Sequence, residues 1–230
     1  MTWQIIVDFD GTVTKKDSTD MLLERFALPH WRELEEQWVR GEIGSRDCMR
    51  KQIELVRATP DEMHDFIASI EIDWHFKSFV RLCQRLELPL KIVSDGLDLT
   101  IRNVLRRAGL DAVAVVANHL AHIGGNRWAL TSPFAKAKCR SAAGTCKCSV
   151  AEQRSPLLTL LIGDGRSDQC LANEADLIFA KAGLLKYCQT QNLPHQGFET
   201  FADVSSLLQE ALENTVMALS VKQSLAVASQ

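Results

Sequence analysis

Several features are missing from this chain, and each absence narrows its class. No uncharged apolar run reaches the roughly 20 residues that a membrane-spanning helix needs, so no transmembrane segment is expected. The opening Met1-Thr2-Trp3-Gln4 carries no basic side chain, and the apolar run Ile5-Ile6-Val7 ends at once in Asp8. That pattern predicts no secretory leader. Neither sign of charge dominates: 26 Lys+Arg against 29 Asp+Glu give a net charge of -3, which excludes a strongly basic nucleic-acid binder. The seven cysteines are an odd number and do not suit a secreted disulfide framework. Reduced thiols in a cytoplasmic protein are the expectation. There is no internal repeat and no low-complexity tract.

What is present indicates a folded α/β protein. The 230 residues suffice to bury a core, and 46% hydrophobic against 24% charged residues argues against wholesale disorder. Residues 3–9 form a short, β-branched apolar run that reads as a buried strand ending in Asp8-Phe9-Asp10-Gly11. Residues 17–72 hold no strand run. They show helical spacing throughout, and Thr59-Pro60-Asp61-Glu62 reads as a capped helix start. Beyond them helices and strands alternate. A helix is predicted over 75–86, a strand over 90–93 ending in Ser94-Asp95-Gly96, a helix over 97–108 and a strand over 112–116. A hairpin over 118–130 turns at Gly124-Gly125-Asn126. Strands at 157–162 and 177–180 follow, then two helices. Helices between apolar strands indicate a parallel sheet.

Three strand ends carry small or acidic residues: Asp8 and Asp10, then Ser94, then Asp164 and Asp168. Ligands of open α/β sheets bind beyond the carboxyl ends of the strands, and parallel strands bring these ends together. The four carboxylates would repel one another unless something positive sat among them. A hard dication with oxygen ligands meets that need, and Mg²⁺ is the usual one beside phosphate. Glycines at 11, 96, 163 and 165 allow the backbone to come close to a ligand, and helix N-termini favour an anion. Together these point to phosphoryl chemistry.

These residues resemble a known family. Asp8-Phe9-Asp10-Gly11-Thr12-Val13-Thr14 is similar to the first motif of the haloacid dehalogenase (HAD) superfamily, Ser94 after Leu90-Lys91-Ile92-Val93 to its second, and Gly163-Asp164-Gly165-Arg166-Ser167-Asp168 to its fourth. The resemblance implies a HAD-like Rossmannoid core with a parallel sheet, spanning 1–16 and 75–230, and an inserted helical cap at 17–74. It implies Asp8 as the nucleophile that forms an aspartyl-phosphate, and Asp10 as general acid and then base. Asp8, the Asp10 carbonyl and Asp164 would hold Mg²⁺, with Asp168 in support. Ser94 and the Gly96 N–H would bind phosphate oxygens, with a contribution from Thr12. The family's third motif is a lysine, for which Lys136, Lys138 and Lys147 qualify. Lys147 is favoured because Lys147-Cys148-Ser149-Val150 begins the helix leading to the strand at 157–162. Within the superfamily, Cys146-Lys147, Ile92-Val93-Ser94-Asp95-Gly96 and Gln191-Asn192-Leu193 resemble the methionine-salvage phosphatases, which act on 2-hydroxy-3-keto-5-methylthiopentenyl 1-phosphate. That branch resembles phosphoserine phosphatase.

The reading is a Mg²⁺-dependent phosphatase for a small phosphomonoester, with neither nucleic acid nor membrane as partner. Rivals are phosphatases for phosphoserine, phosphocholine or a vitamin phosphate, and a non-hydrolytic phospho-acceptor. Asp10 argues against the last, because turnover needs a general acid. For substrate choice, Asp17 falls where phosphoserine phosphatases keep a glutamate for the substrate amine. Arg46 or Arg50 could meet a carboxylate, and Trp31, Trp38 and Met49 could line an apolar pocket. Cys139, Cys146 and Cys148 follow no standard zinc spacing and read as free thiols.

Overall fold

The computed structural model describes residues 3–152 and 157–228. Its strands are β1 (Trp3–Val7), β2 (Leu90–Leu97), β3 (Ala114–Gly124), β4 (Arg127–Thr131), β5 (Leu158–Gly163), β6 (Leu177–Ala180) and β7 (Gln196–Gly197). They form one sheet in the order β4-β3-β2-β1-β5-β6-β7. Every neighbouring pair is parallel except β3 with β4. The chain builds outward from β1 to one side, then crosses over to build the other. Val7 lies opposite Ile92 on one flank and Ile162 on the other, so Asp8, Ser94 and Asp164 follow closely on three aligned positions. That reversal of strand order opens the crevice in which such sheets bind ligands.

Four helices separate β1 from β2's own approach: α1 (Ser18–Phe26), α2 (Trp31–Val39), α3 (Ser45–Glu54) and α4 (Pro60–Ser69). No strand interrupts them, as expected for 17–72, although Thr14 pairs with Ile72 as an antiparallel bridge where the chain leaves and returns. The Thr59 cap forms as read: Thr59 Oγ1 accepts from the Glu62 N–H at 3.3 Å, and the Glu62 carboxylate accepts from the Thr59 N–H at 2.8 Å. The later helices are α5 (Phe76–Arg85), α6 (Asp98–Arg107), α7 (Lys147–Glu152), α8 (Gln169–Ala172), α9 (Ala182–Thr190) and α10 (Phe201–Ala228). Among the described residues no helix is long and apolar enough to cross a membrane.

Alternation along β1 splits the core into two layers. Ile5 and Val7 face a large cluster shared with α1, α3, α4, α5, α6 and α10, while Ile6 faces a smaller one shared with α7, α8 and α9. Leu22, Ile53 and Phe66 belong to the larger cluster, so the helices at 18–69 are packed onto the sheet's own core.

Three elements depart from the sequence reading. β2 does not stop at residue 93. It continues through Ser94, Asp95 and Gly96, all buried, because Leu97 still pairs with Asn118 of β3. The strand at 112–116 and the first arm of the hairpin are one strand, β3, which pairs with β2 in its first half and with β4 in its second. β7 carries no apolar signal, since Gln196 and Gly197 are both exposed.

Phe201 anchors α10 in the larger core cluster. Its ring lies 4.8 Å from that of Phe76 and 5.2 Å from that of Phe79, and it is fully buried. Phe201→Ala is expected to cost about 3–5 kcal/mol of unfolding free energy by chemical denaturation, as buried phenylalanine truncations do. A loss below about 1 kcal/mol would mean that α10 does not seal this core.

Candidate active site

The site sits where β1, β2 and β5 end. Asp8 directly follows β1 and is buried, with its Oδ1 accepting from the Phe9 N–H at 2.8 Å. Its Oδ2 faces the Lys147 ammonium at 2.9 Å. Lys147 begins α7, is wholly buried, and also donates to Asp168 Oδ1 at 2.5 Å and to Ser167 Oγ at 3.1 Å. Asp168 is held in turn by the Gly165 N–H at 3.1 Å. Of the three candidate lysines, Lys147 is therefore the one that reaches Asp8. Lys136 and Lys138 line a separate cavity beside Cys139, Cys146, Cys148 and Cys170.

Asp164 extends from the end of β5 and accepts from Thr12 Oγ1 at 2.9 Å. Asp8, Asp164 and Asp168 each offer a carboxylate oxygen within 4.8 Å of the others. Among the described residues this is the only set of three or more metal-ligating groups so gathered, and the cysteines form none. The donors are all hard oxygens, and one lysine cannot neutralise three carboxylates, so the set fits a hard dication such as Mg²⁺. The Asp10 carboxylate stands outside this set, in keeping with the expectation that Asp10 would offer a metal its backbone carbonyl and not its side chain. Its Oδ1 accepts from the Ser18 N–H at 3.0 Å and from the Ser18 hydroxyl, and its Oδ2 lies 3.5 Å from Ser94 Oγ. The Gly96 N–H donates to Ser94 Oγ at 2.9 Å. A Cβ on Gly96 would fall 2.1 Å from Asp10 Oδ2, so only glycine lets this strand pass the carboxylate.

Burial governs the electrostatics. It raises Asp8 well above the usual carboxylate range, with the charge of Asp168 adding to it and Lys147 opposing. Burial, then the Asp17 charge, pushes Asp10 up to about 7. Burial and Asp168 push Asp164 up to about 6. For Lys147 burial acts the other way, but Asp168 and Asp8 outweigh it and hold the ammonium above the ordinary lysine range.

Asp8, Asp10, Ser94, Gly96 and Asp164 line one cavity, while Thr12, Lys147 and Asp168 support it from beneath. Trp38 and Met49 line it as expected, and Asp17 does so while capping α1. Trp31 does not: it is buried in the core at the start of α2. Trp31 and Trp38 share one helical face, but that face runs from the core to the cavity. Arg46 and Arg50 also stay away. Arg46 is exposed, and Arg50 pairs with Glu54 at 2.7 Å on the surface. Arg166 lines the cavity instead, stacked 4.9 Å over the Trp38 ring. Ser45, Asp95 and Ser167 also line it, without a role expected from the sequence. Ser167 lay inside a motif already quoted. Asp95 lies beside Ser94 in a strand-end motif that assigned it no role, and Ser45, 50 residues away, gave no local signal.

Asp10 and Asp164 bind protons more tightly in the folded than in the unfolded chain. Their contribution to stability is therefore present near pH 4 and is lost as pH rises through about 6 to 7. Thermal melts of chelator-treated protein should show Tm falling across that window. Added Mg²⁺ should raise Tm more at pH 7.5 than at pH 5. Melts unchanged by Mg²⁺ at both pH values would remove the cation from this site.

A model for haloacid dehalogenase-like hydrolases matches residues 5–173. A 2-hydroxy-3-keto-5-methylthiopentenyl-1-phosphate phosphatase from Geobacillus thermodenitrificans is 31% identical over 210 residues, covering 89% of this chain and 94% of the relative. Among solved structures, a phosphoserine phosphohydrolase-like protein from Francisella tularensis superposes with a TM-score of 0.67 at 19% identity, covering 90% of this chain and 99% of that one. A phosphoserine phosphatase solved as a phospho-aspartyl intermediate analogue gives a TM-score of 0.62 at 19% identity, with 81% and 91% covered. Both structures share the fold. With strand ends, motif order and relatives in agreement, the chain belongs to the haloacid dehalogenase-like hydrolase family, among its phosphatases.

Proposed function

We propose that this chain hydrolyses a small phosphomonoester through an aspartyl-phosphate on Asp8. The observation that carries the reading is the Asp8 carboxylate, set at the end of the central strand between Lys147 and Asp164. In the first step an Asp8 oxygen attacks phosphorus, and the bond to the ester oxygen breaks. Asp10, raised to about 7 and so protonated in about half of the molecules at neutrality, gives its proton to the departing alkoxide. In the second step Asp10, now a carboxylate, takes a proton from water as that water attacks phosphorus. Asp8 is released and inorganic phosphate leaves. Ser94 Oγ and the Gly96 N–H, which bond each other beside Asp10, would turn to phosphate oxygens when substrate binds, and Lys147 would keep the Asp8 carboxylate aimed.

Asp8, the Asp10 carbonyl and Asp164 would hold Mg²⁺, with Asp168 behind them. The bound ion offsets the repulsion between carboxylate and phosphate dianion. Residues 17–74 would act as a cap whose α2 and α3 wall the cavity against bulk water. The relatives' substrate, the methionine-salvage enol phosphate, is the first substrate to test, with Trp38 and Met49 as an apolar wall for its methylthio tail. A second reading, an ammonium-bearing ester such as phosphocholine, is favoured by Asp17, Asp20 and Glu35 along the same cavity.

A phosphate-release panel of these esters and phosphoserine, with and without Mg²⁺, tests the proposal. One Mg²⁺-dependent substrate should stand out, and Asp8→Asn should lower kcat by at least about 10³-fold with the fold retained. Near-normal hydrolysis by Asp8→Asn would overturn the nucleophile assignment.

A further inference from the structure

Asp95 is a buried carboxylate in the cavity wall that the mechanism above leaves unused. Its Oδ2 accepts from the Ser45 hydroxyl at 2.6 Å. Its Oδ1 accepts from the Thr145 N–H at 2.9 Å and from Asn118 Nδ2 at 3.0 Å. The same amide nitrogen also donates to the Asp95 backbone carbonyl at 2.5 Å. All three partners of the side chain are neutral donors, and each comes from a different part of the chain. Ser45 opens α3, which lines the cavity with Met49. Asn118 belongs to β3. Thr145 lies two residues before Lys147, the lysine that faces Asp8.

The seam around Asp95 is tight. A Cβ on Gly144 would fall 2.3 Å from Asn118 Oδ1, and the Arg46 N–H of α3 donates to the Ala142 carbonyl at 3.0 Å. α3 and the 142–147 segment are thus docked on each other, with Asp95 as the shared acceptor. The two side-chain oxygens of Asp95 hold all three donors at once, which ties three distant segments to one point.

We infer that Asp95 is a positioning residue with two separate links: through Ser45 it seats α3 over the cavity, and through Thr145 it sets the placement of Lys147 against Asp8. The inference rests on the roles proposed above for Asp8 and Lys147. Seating α3 shapes the substrate wall, so that link acts on KM. Holding the 142–147 segment sets the lysine and the nucleophile, so that link acts on kcat.

Three variants separate the links. Ser45→Ala cuts only the tie to α3, and it should raise KM about tenfold while kcat stays within about twofold. Asp95→Ala leaves all three donors without an acceptor, and it should lower kcat about 100-fold, as a small misplacement of catalytic groups does. Asp95→Asn keeps every bond: its amide oxygen accepts from Thr145 and Asn118, and its amide nitrogen donates to Ser45 Oγ. It should hold kcat within about threefold of the parent. Circular dichroism and melts check folding, and if Asp95→Ala does not fold, Ser45→Ala and Asp95→Asn decide. Folded Asp95→Ala with unchanged kcat would overturn the inference. So would Asp95→Asn with a kcat loss of about 100-fold, which would show that the charge itself acts on substrate. Equal kcat loss in Ser45→Ala would show that the two links are not separate, and would also overturn it. Asp8→Asn, run beside them, fails only if the hydrolytic reading fails, so the two failures are distinguishable.

Discussion

Crowded negative charge at one sheet edge is the constraint on which the rest of this structure depends. Asp8, Asp164 and Asp168 converge within 4.8 Å, and two like charges 4 Å apart cost on the order of 4 kcal/mol at the effective dielectric of a partly buried site. The wholly buried Lys147 relieves part of that cost through its bonds to Asp8 and Asp168. Removing it would leave two buried acids unpaired, a far larger penalty than the pair's net worth. The remaining charge makes the site hungry for a cation and keeps Asp164 reluctant to ionise without one.

The fold answers this constraint through topology. Aligning Val7, Ile92 and Ile162 across β1, β2 and β5 places the acids within reach of one ligand, and starting α7 at Lys147 sends its ammonium inward beneath them. The helices at 18–69 share the sheet's core, so the wall they form over the cavity is held by packing as well as by Ser45. Ser18 at the start of α1 also bonds Asp10, which ties the residue proposed to transfer the proton to that same wall. Chemistry and enclosure therefore use the same few contacts.

Much of this was legible in the sequence because acids abruptly end apolar runs. Asp8, Asp10 and Asp164 stand at such breaks, and a strand in a parallel sheet has only one place for them. Lys147 was harder, because three lysines share one irregular stretch and side-chain depth has no local signature. Asp95 was hidden beside Ser94, because its three partners lie far off in sequence, at Ser45, Asn118 and Thr145. The two tryptophans of α2 differ for a related reason. Spacing tells which face of a helix is apolar, but not that one end of that face meets the core and the other a cavity. The same limit applies to β3, where the change from a parallel to an antiparallel neighbour leaves no mark on its residues.

The central claim is that phosphorus passes through Asp8, and reductive trapping tests it most directly. Asp10→Asn, mixed with Mg²⁺ and an aryl phosphate whose leaving group departs without a proton, should accumulate the acyl-phosphate, since hydrolysis of the intermediate lacks its base. Acid quenching and borohydride reduction would convert that aspartyl-phosphate to homoserine, located by peptide mass spectrometry. The account predicts homoserine at position 8. Homoserine at another acid, or none while the variant forms phosphoenzyme, would contradict it.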